Sequence, residues 1–305
     1  MTLLTPSAVA AIDDLELAAR LVVEGARSGP HRSPFHGFTA EFSQHRPYRP
    51  GDDLKYLDWK LLARTDRLYS RQFKETTSLS VMLVLDASAS MGFPSDAGGI
   101  SKFRYASIVA SALAYLIVSQ GDSVGFIARL GDRFTYLPTR GGRPHLRAVL
   151  AQMAKLEPAG SEGLDRAITR GADLLKRRGV IIAISDFYDA SETTFRDLRR
   201  VARRGHDVAL LQVLSKPEIE FPYATDLEFE DLESGARRVV DGSATGRDYR
   251  TAVAEFLARC RRQAHRDGLD YALMPTDVAP ARALRTYLLK REAASAAPQT
   301  FRETR

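Results

Sequence analysis

Three oxygen-bearing side chains follow the apolar run VMLVL at two-residue spacing: Asp86, Ser88 and Ser90. A tight turn there could aim one carboxylate and two hydroxyls at a common point. Hard oxygen donors without histidine or thiolate suit Mg²⁺ or Mn²⁺ and disfavour zinc. The alternative is that these side chains only cap backbone donors in a strand-to-helix turn. The spacing therefore predicts a magnesium or manganese site, with local capping as the competing interpretation.

A second aspartate, Asp186, ends another apolar run, VIIAIS. In an open α/β sheet, ligands bind at the carboxyl ends of the strands, near the point where the strand order reverses. We therefore expect Asp186 to supply a further carboxylate to the same site, directly or through water. Strand-end aspartates also serve as helix N-caps, which is the alternative here.

From Leu79 onward, short apolar runs alternate with amphipathic segments. The predicted strands are 79–86, 123–130, 133–138, 180–186, 207–214 and 269–275, and the predicted helices are 101–119, 144–156, 163–178, 192–204, 247–266 and 279–292. Several strands are nearly continuous Val, Ile and Leu, which is typical of strands buried on both faces of a mostly parallel sheet. The pattern predicts a doubly wound α/β fold with helices on both faces of the sheet.

The domain organisation predicted around this sheet has four parts. Residues 1–30 hold an N-terminal amphipathic helix over 11–27, and residues 31–78 form a small turn-rich or β-rich subdomain. Residues 79–293 form the α/β domain, in which alternating residues over 227–241 predict an inserted β-hairpin. We expect residues 294–305 to be a flexible tail.

Composition narrows the cellular setting. The single cysteine, Cys260, excludes an intrachain disulfide and favours a reducing compartment. The longest apolar run, Val109 to Val118, falls short of the roughly 20 residues that span a bilayer, and the N-terminus lacks the pattern of a signal peptide. We therefore expect a cytoplasmic protein without a membrane span.

The segment Asp-x-Ser-x-Ser, followed by Met91-Gly92, resembles the metal-ion-dependent adhesion site of von Willebrand factor A domains. This resemblance implies a von Willebrand factor A-like fold, and a bound metal whose open position is filled by an Asp or Glu of a partner protein. It also implies a threonine ligand from a third loop. The matching loop has no threonine, so Ser161 or Glu162 would have to take that place.

Upstream, RPYRPGDD at 46–53, LDWK at 57–60 and Ala63-Arg64 resemble the hallmark segment of the bacterial family called domain of unknown function 58. That resemblance implies an adaptor that works with a MoxR-type AAA+ ATPase in assembling, activating or remodelling a client protein. The segment could be a docking surface for the ATPase or a structural clamp. The candidate docking residues are Arg49, Asp52, Asp53, Asp58, Trp59, Lys60 and Arg64.

Two other function classes remain as alternatives. A metal-dependent phosphotransferase or hydrolase could use a strand-end aspartate as nucleophile, but Ser88 stands where such a site wants a second acid, and a Gly-rich phosphate loop is missing. Lys102 could contact a phosphate but is expected to be a surface charge. The net charge of +6 suggests nucleic-acid binding, yet no recognition motif accompanies it, and solvated helix faces explain the charge. We therefore expect a binding protein, not an enzyme.

Overall fold

A computed structural model describes residues 4–26, 42–48, 57, 59–65, 67–73, 79–93, 100–130, 133–160, 164–232 and 235–296. The chain forms two compact units, of which the smaller is Phe35–Leu79. The larger joins Met1–Pro34 to Ser80–Arg305. The N-terminal segment therefore belongs to the same unit as the α/β domain.

The helices and strands are named here in chain order. The described helices are α1 (Pro6–Ala10), α2 (Leu15–Ala26), α3 (Trp59–Thr65), α4 (Lys102–Ser119), α5 (Arg143–Met153), α6 (Leu164–Leu174), α7 (Glu192–Arg203), α8 (Lys216–Glu220), α9 (Gly242–Arg266) and α10 (Pro280–Ala296). The described strands are β1 (Phe42–Pro47), β2 (Tyr69–Phe73), β3 (Ser80–Leu85), β4 (Ser123–Leu130), β5 (Arg133–Arg140), β6 (Val180–Ser185), β7 (Asp207–Leu214), β8 (Asp226–Glu230), β9 (Arg237–Asp241) and β10 (Asp270–Pro275).

The larger unit is built on a six-stranded sheet in the order β10-β7-β6-β3-β4-β5. All neighbouring strands are parallel except β5, which pairs antiparallel with β4 at one edge. When only the six strands of this sheet are numbered in chain order, from β3 as 1 to β10 as 6, their spatial order from β5 to β10 is 3-2-1-4-5-6. This is the strand order of doubly wound folds, and it reverses between β3 and β6. The predicted α/β class, with a mostly parallel sheet, is confirmed.

Helices cover both faces of this sheet. On one face α6, α7 and α9 pack over alternate strand residues, including Met82, Val84, Ile181 and Ala183. On the other face lies α4, flanked by α5 and α10. Because successive strand residues point to opposite faces, strands covered on both sides must be apolar throughout, which explains their continuous Val, Ile and Leu.

Helix α4 is buried on nearly every side. It begins at the N-cap Ser101, whose hydroxyl accepts from the Arg104 amide at 3.2 Å, and α2 packs on the side of α4 that faces away from the sheet. By length and composition α4 could cross a membrane, but 78% of it is buried inside this unit. The sequence predicted a helix over 11–27, and the structure has α2 over Leu15–Ala26, where Asp14 Oδ1 accepts from the Glu16 amide at 2.8 Å. The short helix α1, Pro6–Ala10, precedes the predicted range.

Two short antiparallel pairs complete the described structure. In the smaller unit β1 pairs with β2, and Leu57 forms a bridge to Ser70. In the larger unit β8 and β9 form a hairpin over nearly the residues that the alternating pattern indicated. The Phe229 ring on β8 stacks on Phe221, the residue that follows α8.

Candidate functional site

Asp86 directly follows β3 and is 9% exposed. Its backbone amide donates to the Ile184 carbonyl at 3.0 Å, which continues the parallel pairing of β3 with β6. Its carboxylate is held from two directions: Oδ1 accepts from the Ser88 amide at 2.9 Å, and Oδ2 accepts from the Ser185 hydroxyl. The strand pair therefore fixes both the position and the orientation of this carboxylate.

Ser88 and Ser90 place their hydroxyls next to each other, with the two Oγ atoms 3.1 Å apart. Ser88 stands at the N-cap of a short 3-10 helix, Ala89–Gly92, but its side chain makes no capping hydrogen bond. The Ser90 hydroxyl instead donates to Asp186 Oδ2 at 3.0 Å. Local capping therefore involves one oxygen of Asp86, whereas the two hydroxyls bond to each other and to Asp186.

Asp186 directly follows β6, the strand beside β3, and is 2% exposed. Its Oδ1 accepts from the Tyr188 amide at 3.1 Å, and its carbonyl accepts from Gln212 Nε2, on β7, at 2.7 Å. Phe187, which lies between Asp186 and Tyr188 in the chain, adopts a left-handed backbone conformation, with φ of 59°, which a residue with a side chain rarely adopts. The strained backbone of Phe187 therefore lies directly after Asp186, whose carboxylate accepts from Ser90.

A third loop runs beside the first. The Ala89 amide donates to the Gly160 carbonyl at 2.8 Å, and the Ala159 amide donates to the Ala87 carbonyl at 2.9 Å. These bonds bring the segment that precedes Ser161 and Glu162 against the Asp86 loop. Ser161 and Glu162 themselves lie outside the described residues, so their part in the site stays a prediction.

Lys102, at the start of α4, was expected to be a surface charge, and this expectation is wrong. Its side chain is fully buried, and Nζ donates to Asp186 Oδ2 at 2.7 Å and to Glu218 Oε1 at 2.6 Å. Nζ also lies 4.9 Å from the centre of the Tyr188 ring. Burial lowers the pKa of Lys102, but the two carboxylates outweigh it, so the pKa lies above its ordinary value and the side chain is charged.

Glu218 was not among the residues singled out from the sequence. It lies on α8, and its Oε2 accepts from both the amide and the hydroxyl of Ser215 at 2.8 Å. This is a capping box, the Ser-x-x-Glu pattern that opens a helix. Because the pattern follows directly after a predicted strand, it could have placed Glu218 at the same edge of the sheet.

The surroundings of Asp86 disfavour the charged form of its side chain. Burial, and then the nearby charge of Asp186, raise the pKa of Asp86 from 3.8 to about 6, and its hydrogen bonds oppose that shift only in part. Beside Asp86 lies a cavity of about 70 Å³, lined by residues that include Asp165, Asp189 and Thr194. A cation near Asp86 would favour its charged form and so oppose this shift.

The donor set fits a hard divalent cation. Asp86, Asp186, Ser88 and Ser90 offer only oxygen atoms, and Lys102 contacts just one oxygen of this set. Within the described part of the chain, no group of three or more His, Cys, Asp or Glu side chains could hold a metal ion. A cation here would therefore depend on the serine hydroxyls, with the shell completed by water and other ligands.

The predicted docking residues belong to the smaller unit. Arg49, Asp52, Asp53 and Asp58 lie outside the described residues. Trp59 begins α3 and is 60% exposed, Lys60 follows it on the helix, and Arg64 is exposed in the last turn. A single exposed aromatic side chain is common on protein surfaces, so the docking surface and the structural clamp both stay predictions.

Known proteins resemble this chain in sequence. The family described as "Protein of unknown function DUF58" matches residues 44–261. The uncharacterized protein Rv1480 of Mycobacterium tuberculosis (strain ATCC 25618 / H37Rv) is 34% identical over 236 residues, which cover 76% of this chain and 73% of that protein. The uncharacterized protein YeaD of Bacillus subtilis (strain 168) is 28% identical over 123 residues, which cover 40% of this chain and 28% of that protein.

Solved structures with a similar fold include BatB from Bacteroides thetaiotaomicron, with a TM-score of 0.46 and 17% identity, covering 71% of this chain and all of that one. A second is the SpRpn10 VWA domain, with a TM-score of 0.41 and 11% identity, covering 70% of this chain and 95% of that one. A third is a von Willebrand factor type A protein from Catenulispora acidiphila, with a TM-score of 0.36 and 9% identity, covering 73% of this chain and 43% of that one. The fold assignment itself stands on the strand order and helix layers described above.

Proposed function

This chain belongs to the DUF58 family, and we propose that it is a metal-dependent adaptor that binds other proteins rather than an enzyme. The observation that carries the proposal is the meeting of oxygen atoms from two neighbouring strand ends. Ser90 on one loop bonds to Asp186 on the other, and the Asp86 carboxylate lies beside them. This arrangement supports the metal site that the resemblance to the adhesion site implies.

The charges at the site support a divalent cation as the missing component. Asp86, Asp186 and Glu218 carry three negative charges and Lys102 carries one positive charge, so two negative charges remain. Mg²⁺ or Mn²⁺ would balance them and, when bound, would supply an open coordination position for a carboxylate of a partner protein. The chain's own residues would orient the cation, and the surrounding loops would select the partner.

For the partner we propose a MoxR-type AAA+ ATPase, with a further client protein that the ATPase assembles, activates or remodels. Support comes from the family resemblance and from the exposed Trp59 in the segment that carries it. We place this action in the cytoplasm, where the buried free thiol of Cys260 would remain reduced.

The metal is tested by titrating the purified chain with Mn²⁺ and counting bound ions by electron paramagnetic resonance. We expect one Mn²⁺ per chain, displaced by Mg²⁺, and at least tenfold weaker binding in Asp86→Ala. Asp173→Ala is the matched control, since this aspartate forms an exposed ion pair with Arg204. Circular dichroism checks that both variants fold.

The partner is tested by capture of a MoxR-type ATPase from the same genome on the immobilised chain. We expect capture in Mg²⁺, loss of capture in a chelator and loss with Asp86→Ala, while Asp173→Ala behaves like the parent chain. Equal capture under all four conditions would rule out a metal-gated adaptor. Capture of DNA instead, with a steep loss of affinity as salt rises, would favour the nucleic-acid alternative.

A further inference from the structure

Lys102 brings a positive charge of the chain itself into contact with the candidate metal site. Its Nζ lies 2.7 Å from Asp186 Oδ2, the same oxygen atom that accepts the Ser90 hydrogen bond at 3.0 Å. The side chain is 1% exposed, so water screens its charge very little. A divalent cation at the serine hydroxyls would share Asp186 with this ammonium group.

Glu218 holds the ammonium in this place. Glu218 Oε1 accepts from Lys102 Nζ at 2.6 Å, while Glu218 Oε2 is fixed by Ser215 at the start of α8. The ring of Tyr188 covers Nζ at 4.9 Å and closes another side. Two carboxylates from different parts of the chain, Asp186 after β6 and Glu218 on α8, therefore hold the Lys102 side chain in place.

We infer that Lys102 is a built-in counter-cation of this site, which weakens the binding of a divalent cation at Asp86, Ser88, Ser90 and Asp186 and keeps that binding reversible. The inference deepens the proposed function and rests on it. Without a cation the ammonium compensates Asp186, which would otherwise face Asp86 as an uncompensated buried charge. With a cation present the ammonium repels it, and partner binding then depends on the free cation concentration.

Formal charge makes the inference quantitative. The four side chains Asp86, Asp186, Glu218 and Lys102 sum to minus two in the parent chain. Lys102→Met makes the site minus three, Glu218→Gln makes it minus one, and the double variant restores minus two. One elementary charge within roughly 10 Å of a divalent ion in a partly buried site changes the affinity for that ion by at least about tenfold.

The experiment measures Mn²⁺ affinity of the full chain by isothermal titration calorimetry and the rise in Tm that saturating Mn²⁺ produces. We expect Lys102→Met to bind Mn²⁺ at least tenfold more tightly than the parent chain and to show the larger rise in Tm. Glu218→Gln should bind at least tenfold more weakly, and the double variant should lie near the parent. Lys216→Met is the control, because this lysine of α8 is 52% exposed and forms a surface ion pair with Glu220.

A folded Lys102→Met with parent-like or weaker affinity would overturn the inference. Should circular dichroism show that this variant is unfolded, Glu218→Gln decides, and an affinity equal to or above that of the parent chain would overturn it. A parent chain that binds no Mn²⁺ would contradict the proposed function. The inference would then survive only if Lys102→Met gained binding, so the two ideas can fail separately.

Discussion

The Asp86 carboxylate is ionised at neutral pH in a place that disfavours its charge. Burial and Asp186 raise its pKa from 3.8 to about 6, so the folded chain holds the proton more tightly than the unfolded chain. Raising the pH from about 4 to above 6 therefore costs stability, up to roughly 3 kcal/mol for a shift of this size. A carboxylate that stays charged at such a cost in stability is typical of a site that binds a cation.

We therefore predict that Asp86→Asn stabilises the chain in the absence of metal at pH 7.5, by about 1 to 3 kcal/mol, and has little effect at pH 4. At pH 4 the aspartate is largely protonated when folded, so the substitution removes almost no charge. Urea unfolding at both pH values measures this, with the exposed Asp173→Asn as control. A change in stability at pH 7.5 that is no more favourable than the change at pH 4 would contradict the argument.

Helix α6 connects the third loop of the site to the sheet. It begins at Leu164, shortly after the loop that bonds to Ala87 and Ala89, and it lies close to the sheet at Gly171. A Cβ atom at Gly171 would lie 3.2 Å from the Met82 side chain and 3.3 Å from Ile127. The absence of a side chain at this position sets how close the helix, and with it the loop, lies to Asp86.

Gly171→Leu should accordingly destabilise the chain by roughly 2 kcal/mol, because overpacking a buried contact outweighs the better helix propensity of leucine. It should also weaken Mn²⁺ binding, since α6 must move outward and take the loop with it. Arg170→Leu adds the same side chain at the exposed neighbouring position and should change neither. Calorimetry and thermal unfolding of the two variants test this, and equal effects would show that α6 does not position the loop.

The whole larger unit is layered around α4. The sheet covers one side of this helix and α2 covers the other, which is why a helix apolar enough to cross a membrane lies inside the core. Buried residues on α2, such as Val22, face this layer, while Leu17 on the same helix is 37% exposed. The N-terminal segment is thus part of the core rather than an appendage.

Val22→Asp should then lower the free energy of unfolding by about 3 kcal/mol or more, because it buries an unpaired carboxylate. Leu17→Asp should change it by less than about 0.5 kcal/mol, because its side chain reaches water. Denaturant titration compares the two, and binding of a hydrophobic dye would report exposure of α4. Similar small losses in both variants would mean that α2 is not needed to cover the core.

The sequence by itself determined the alternation of strands and helices, and the aspartates that directly follow β3 and β6. Apolar periodicity is a local property, and strands buried on both faces leave a clear pattern of Val, Ile and Leu. From those two strand ends, the placement of Asp86 near Asp186 followed, since parallel strands end at the same edge of a sheet. The two-residue spacing of Ser88 and Ser90 after Asp86 predicted the two hydroxyl oxygens of the site.

Only the tertiary structure decided the state of Lys102. Near the start of a helix a lysine is usually solvated, and nothing within its own segment reveals a partner 116 residues away. That partner, Glu218, reaches it because β7 lies two strands from β3 and α8 begins where β7 ends. Long-range ion pairs depend on strand order and helix packing, which hydrophobic periodicity does not encode residue by residue.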